Sequence, residues 1–261
     1  MNKGFYYLAE GLGTYAMMLI GLSAIALNFG TAFMAAAIPS TGARLLLTGI
    51  LFAGGATLVV YSPVGRISGA HLNPAVSFAF LLRRKLGLRD AAAYMAMQVA
   101  GSVAAAVLFR ALWGPHARQV RMGMTLPGAG VAVPKVFGVE VLITFLLVSV
   151  IFLFLQRKEW TRYAGLAAGM LVAALVYLTA PISGTSLNPA RSLGPALAAF
   201  DFSFLWLYLA APMVGSLLAV AVQRVALSGV RPLCVKLNHR EEPCLFAACE
   251  FCNPKPESRS P

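Results

Sequence analysis

Two asparagines, Asn73 and Asn188, each stand before Pro-Ala and five residues after the serine of a Ser-Gly pair. The first lies in Ser68-Gly69-Ala70-His71-Leu72-Asn73-Pro74-Ala75-Val76 and the second in Ser183-Gly184-Thr185-Ser186-Leu187-Asn188-Pro189-Ala190-Arg191. A carboxamide carries one acceptor and two donors, so its oxygen can cap a helix while its amide faces an oxygen-bearing solute. Pro74 and Pro189 then take first helical positions, where a missing N–H costs nothing. The chemistry on offer is hydrogen-bonded recognition of neutral, hydroxyl-bearing molecules. Arg191 directly follows the second box and adds fixed donors together with a barrier to cations.

Two carboxylates sit in apolar surroundings, in the matching phrases Glu10-Gly-Leu-Gly-Thr14 and Glu140-Val-Leu-Ile-Thr144. An acid at membrane depth needs partners. Unpaired N–H groups of the loops before each box can supply them, and a proton relay is the sharper alternative. No chain of further acids or histidines runs through the apolar stretches, which favours bracing. The same stretches hold no nucleophile–base pair, metal-ligand cluster or nucleotide loop, so no reaction, cofactor or enzyme class is assigned.

The elements that position these groups follow from composition. With 59% hydrophobic and 11% charged residues, the chain has too little polar surface for a soluble domain and needs lipid as solvent. Apolar stretches of spanning length lie near 5–28, 42–62, 91–113, 136–156, 161–180 and 204–228, each near the ~20 residues that cross a bilayer core. Asn73 to Leu82 and Asn188 to Phe200 are apolar but too short to cross, so they dip in and stop. The expected fold is an all-α polytopic membrane protein with six transmembrane helices plus two re-entrant half-helices in an inverted repeat. Three spans and a half-helix make one unit, and the odd number of spans turns the second unit over. The half-helix N-termini then meet near the midplane, where their dipoles repel cations, protons included.

The boxes lie 115 positions apart, which gives a channel domain over 1–229 with repeat one at about 5–114 and repeat two at about 136–228. A tail occupies 230–261. The formal net charge is +12, yet its basic residues are spread over loops, which argues against nucleic acid as a partner. With the N-terminus inside, fifteen basic residues fall inside and five outside, fitting the positive-inside rule. Both termini are expected in the cytoplasm, in a plasma or bacterial inner membrane.

On the paired Asn-Pro-Ala boxes, the Ser-Gly-Ala-His lead-in, Arg191 and the two glutamates, the chain resembles the aquaporins, or major intrinsic proteins, over roughly 5–228. The resemblance implies a homotetramer with one pore per subunit, passing water or small uncharged solutes passively across the lipid bilayer. It implies one filter at the boxes and an outer filter of four positions ending in Arg191. The others are Val176, where water-selective members carry His, Thr185, and a second-span position that counts to Ala53 or, if the stretch Tyr61 to Gly65 is longer than usual, to Phe52 or Leu51. His71 joins Glu10 and Glu140 as a loop-bracing residue. Without the histidine the constriction is expected to be wider and less polar, admitting glycerol besides water. A channel mainly for undissociated metalloid hydroxides such as arsenous or antimonous acid, and a strictly water-selective channel, are the alternatives. Ser192, Ala196 and Tyr208-Leu209 make the mixture similar to nodulin-like intrinsic proteins and bacterial relatives. A secondary transporter or a sealed junction protein are rivals, the first lacking acids at the substrate site.

All four cysteines lie in the tail, and His239 falls among Cys234, Cys244, Cys249 and Cys252 as Cys-x4-His-x4-Cys-x4-Cys-x2-Cys. These five are candidates for a zinc or thiophilic metalloid site. Their outer spacings are shorter than the usual structural site, so no metal is assigned and reduced cysteines on a polar tail are the preferred reading. Palmitoylation and regulatory oxidation are further options.

Overall fold

The computed structural model describes residues 3–225, 231–239, 244, 246 and 248–251. Six helices among them are long and apolar enough to span a membrane: α1 (Lys3–Gly30), α2 (Thr41–Tyr61), α4 (Leu88–Trp113), α5 (Val133–Leu155), α6 (Ala164–Ser183) and α8 (Leu205–Val225). Two short helices, α3 (Pro74–Leu82) and α7 (Pro189–Ala199), complete the two repeats. Both begin with proline behind an asparagine cap. α6 starts three residues later than the hydropathy suggests, because Lys158–Thr161 forms a separate turn before it. The expected end of the last span, 226–228, lies outside the described residues.

Packing repeats with the sequence. α1 lies against α4 and α2 in the first half, and α5 lies against α8 and α6 in the second. α2 and α6 pack on each other and join the halves. Each half-helix docks mainly on a span of the other repeat or its own third helix: α3 contacts α8 and α4, while α7 contacts α4 and α8.

Close crossings need small residues, since helices in lipid associate by van der Waals packing and backbone approach. A Cβ on Gly101 would lie 2.2 Å from the Gly11 carbonyl oxygen, and one on Gly215 would lie 2.4 Å from that of Val141. The two glycines occupy equivalent places in α4 and α8. Outward, Ile50, Leu58, Met170 and Leu178 are exposed, the expected surface where the neighbouring phase is apolar.

Candidate functional site

Asn73 caps α3 by accepting from Ala75 N at 2.8 Å, and Asn188 caps α7 by accepting from Ala190 N at 3.0 Å and Arg191 N at 3.3 Å. Their oxygens are thus committed to capping, which leaves the amide nitrogens to donate. Asn73 Nδ2 donates to the Leu187 carbonyl at 2.9 Å, and Asn188 Nδ2 donates to the Leu72 carbonyl at 2.8 Å. The two helix N-termini therefore face each other through a reciprocal pair of bonds, and each amide keeps a second N–H.

Both approach loops use the same backbone. Gly69, Ala70 and Leu72 have φ of 95°, 53° and 53°, and Gly184, Thr185 and Leu187 have 75°, 51° and 53°. Left-handed conformations in non-glycine residues cost on the order of 1–3 kcal/mol each and persist only where surroundings over-determine them. Glu140 supplies much of that constraint in the second loop: it accepts from Ser183 Oγ at 2.7 Å, Ser186 N at 2.9 Å and Leu187 N at 2.9 Å, using both oxygens. Glu10 accepts from Leu72 N and from Gln98 Nε2 through Oε1 alone. Tyr94 donates to the Ser68 carbonyl at 2.6 Å and Tyr208 to the Ser183 carbonyl at 2.8 Å. His71 is stacked on Phe80, with ring centroids 4.6 Å apart, and bonds Ser77 Oγ at 3.0 Å and the Val235 carbonyl at 2.9 Å.

A cavity of about 270 Å³ passes these groups. Its lining follows α2 from Leu45 to Val60, a rise of about 22 Å along a helix at 1.5 Å per residue. Asn73, Asn188, His71, Thr185, Val176, Ala53 and Arg191 all line it. Pro74, Ala75, Pro189 and Ala190 stand behind the asparagines, buried in the first turns of the half-helices. Glu10 and Glu140 are fully buried and do not line the cavity.

Arg191 donates through Nη1 to the Gly123 carbonyl at 2.7 Å, and its guanidinium carbon lies 5.5 Å from the centroid of the Phe52 ring. Phe52 and Ala53 both line the cavity and Leu51 does not. Thr185 pairs with Thr179 at 2.8 Å. Sequence reasoning overlooked Gly123, because a backbone carbonyl in a loop has no side-chain signature. It also overlooked Gln98, which an amide inside an apolar span does signal.

Cys234, Cys244 and Cys249 are free thiols, and they cluster. The ligand atoms of Cys234, His239, Cys244 and Cys249 all lie within 4.8 Å of one another. The chain turns back on itself through Glu250 N to the Leu233 carbonyl at 2.9 Å, which overcomes the short spacings. Cys252 lies outside the described residues.

The family profile described as major intrinsic protein matches residues 4–223. The chain is 37% identical to "Aquaporin NIP1-3" of Oryza sativa subsp. japonica, over 80% of this chain and 69% of that protein. It is 32% identical to "Aquaporin NIP6-1" of Arabidopsis thaliana, over 83% and 67% respectively. The structure superposes on the aquaglyceroporin from Plasmodium falciparum with a TM-score of 0.72 and 22% identity, covering 87% of this chain and 97% of that one.

Proposed function

The chain belongs to the major intrinsic protein family, and we propose that it is a passive channel for water and small uncharged solutes such as glycerol. The observation that carries this reading is the cavity lined at once by Asn73, Asn188 and Arg191 and by the apolar Val176 and Ala53. A solute with hydroxyls exchanges water for the Asn amides and the arginine, while its carbon side meets aliphatic walls. Cations meet two helix N-termini and a guanidinium, which raise their energy without a compensating carboxylate.

In this reading Glu10, Glu140 and His71 brace the loops, since the acids are buried behind the cavity, Glu140 accepts from loop donors through both oxygens and Glu10 accepts from Leu72 N through Oε1. The positive-inside count supports cytoplasmic termini, and the exposed apolar faces of α2 and α6 suit contacts between copies in a homotetramer. The Phe52 ring beside Arg191 favours a second, narrower reading, strict water selectivity. Stopped-flow light scattering on proteoliposomes with water, glycerol and arsenous acid gradients separates them. Glycerol flux well above that of empty liposomes supports the proposal, and water flux alone supports the narrower one.

A further inference from the structure

We propose that Cys234, His239, Cys244 and Cys249 form a tetrahedral site for zinc or a similar thiophilic divalent cation, and that the bound metal holds Val235 to Asn238 as a plug in one mouth of the cavity. The second half rests on the channel reading; the first does not.

The geometry suits a metal. Zn–S near 2.3 Å and Zn–N near 2.0 Å give tetrahedral edges of about 3.8 Å between sulfurs and about 3.5 Å between sulfur and nitrogen. Cys234 Sγ lies 3.8 Å from Cys244 Sγ, and Cys249 Sγ lies 3.3 Å from His239 Nε2. Cys234, Cys249 and His239 are at most 8% exposed, matching the closed surroundings of structural sites. Residues 231–239 contain no helix or strand, and so short a segment cannot build its own apolar core. A cluster of three thiols and an imidazole provides the cross-link that such a segment needs. Binding exchanges the thiol protons for the metal and involves no change of oxidation state.

The ligands also bracket the residues that touch the pore. Between Cys234 and His239, the Val235 carbonyl accepts from His71 Nε2 at 2.9 Å, which assigns the His71 proton to Nε2, and Leu237 N donates to the Gly69 carbonyl at 3.0 Å. Leu237 lines the cavity. Val235, Lys236, Leu237 and Asn238 are each at most 4% exposed, so the segment is inserted and not draped. Approach is close enough that a Cβ on Gly69 would meet Lys236 Cα at 2.9 Å. Lys85 holds the returning segment through Glu250 at 2.7 Å and the Ala248 carbonyl at 3.1 Å. Releasing the metal frees both ends of the plug at once.

The test uses the full chain in detergent and in proteoliposomes, stripped with chelator and titrated with Zn²⁺ or Co²⁺. One metal per chain is expected, with thiolate charge-transfer and tetrahedral d–d absorption for Co²⁺, both lost in the Cys244→Ser/Cys249→Ser double variant. Absent stoichiometric binding, an octahedral Co²⁺ spectrum, or unchanged binding in the variant would overturn the site. Hydrogen exchange of peptides covering 232–239 should slow at least several-fold with Zn²⁺, and water flux should rise several-fold when Zn²⁺ is removed. Metal-independent exchange overturns the plug even if metal binds. Metal-dependent exchange with no water flux in any state sustains the metal site and refutes the channel reading instead.

Discussion

Ser102 donates its hydroxyl to the Ala190 carbonyl at 2.6 Å, so a serine on the last span of the first repeat holds the box of the second. Ser216 returns the contact on the Ala75 carbonyl at 2.8 Å. Both serines are fully buried. The two halves are therefore bonded crosswise at the alanines as well as at the asparagines, and neither box can move without the other repeat.

Ser102→Ala removes a buried hydrogen bond between the two repeats, which costs about 0.5–1.5 kcal/mol. Ser216→Ala should cost a similar amount. Thermal unfolding in detergent checks both, and a loss confined to one variant would show that the halves are not mechanically equivalent. Larger residues at 102 should fail outright, because Gly194 sits against it: a Cβ there would lie 2.2 Å from Ser102 Oγ.

Glu140→Gln should destabilise more than Glu10→Gln. Glu140 accepts through both oxygens, so the glutamine NH2 must face a donor, Leu187 N or the Ser183–Ser186 pair. Glu10 accepts through Oε1 alone, which a glutamine oxygen can replace. The lost and opposed bonds at Glu140 amount to roughly 1–3 kcal/mol, read as lower yield and melting temperature. A Glu140→Gln protein as stable as the parent that has lost a pH-dependent flux would instead assign the carboxylate to a relay.

Arg191→Ala removes the guanidinium from between the Gly123 carbonyl and the Phe52 ring. The fold should survive, since the side chain borders an existing cavity, and proton or ammonium conductance in proteoliposomes should rise above the parent's. Equal conductance in a folded variant would place the cation barrier elsewhere, at the paired half-helix N-termini.

Val176→His narrows the cavity and adds a ring nitrogen where the wall is aliphatic. Glycerol flux should fall at least several-fold while much of the water flux remains, because water is small and can bond the imidazole. Phe52→Leu is the companion: it should widen the cavity beside Arg191 and raise glycerol flux. If neither variant alters the glycerol-to-water ratio, selectivity is set at the asparagines.

The spans and half-helices were readable from the chain because hydropathy and capping act over a few neighbouring residues. Asn-Pro-Ala at 73–75 and 188–190 specifies a helix start whatever surrounds it, and about ten apolar residues after it are too few to cross. The odd number of spans per repeat then makes the repeats antiparallel by counting alone. That reasoning also located Glu10 and Glu140 as acids needing partners, but not which partners.

Partners are chosen by helix packing, across separations that no local rule spans. Glu10 meets Leu72 from 62 positions away, Arg191 meets Gly123 from 68, and His71 meets Val235 from 164. Counting along α2 left Ala53, Phe52 and Leu51 open, and the fold brings Phe52 and Ala53 to the cavity, the Phe52 ring lying beside Arg191 and close against Gly21. The short cysteine spacing did not establish a cluster, and the return of the tail from Leu233 to Glu250 brings side-chain sulfur and nitrogen atoms of Cys234, His239, Cys244 and Cys249 within 4.8 Å of one another. Sequence by itself determined where the six spanning helices and the two half-helices lie, since the free energy of each span is a property of its own residues. Tertiary structure decided which distant groups meet the residues that line the cavity, since contacts such as Arg191 with Gly123 and His71 with Val235 exist only once segments far apart in sequence share a surface.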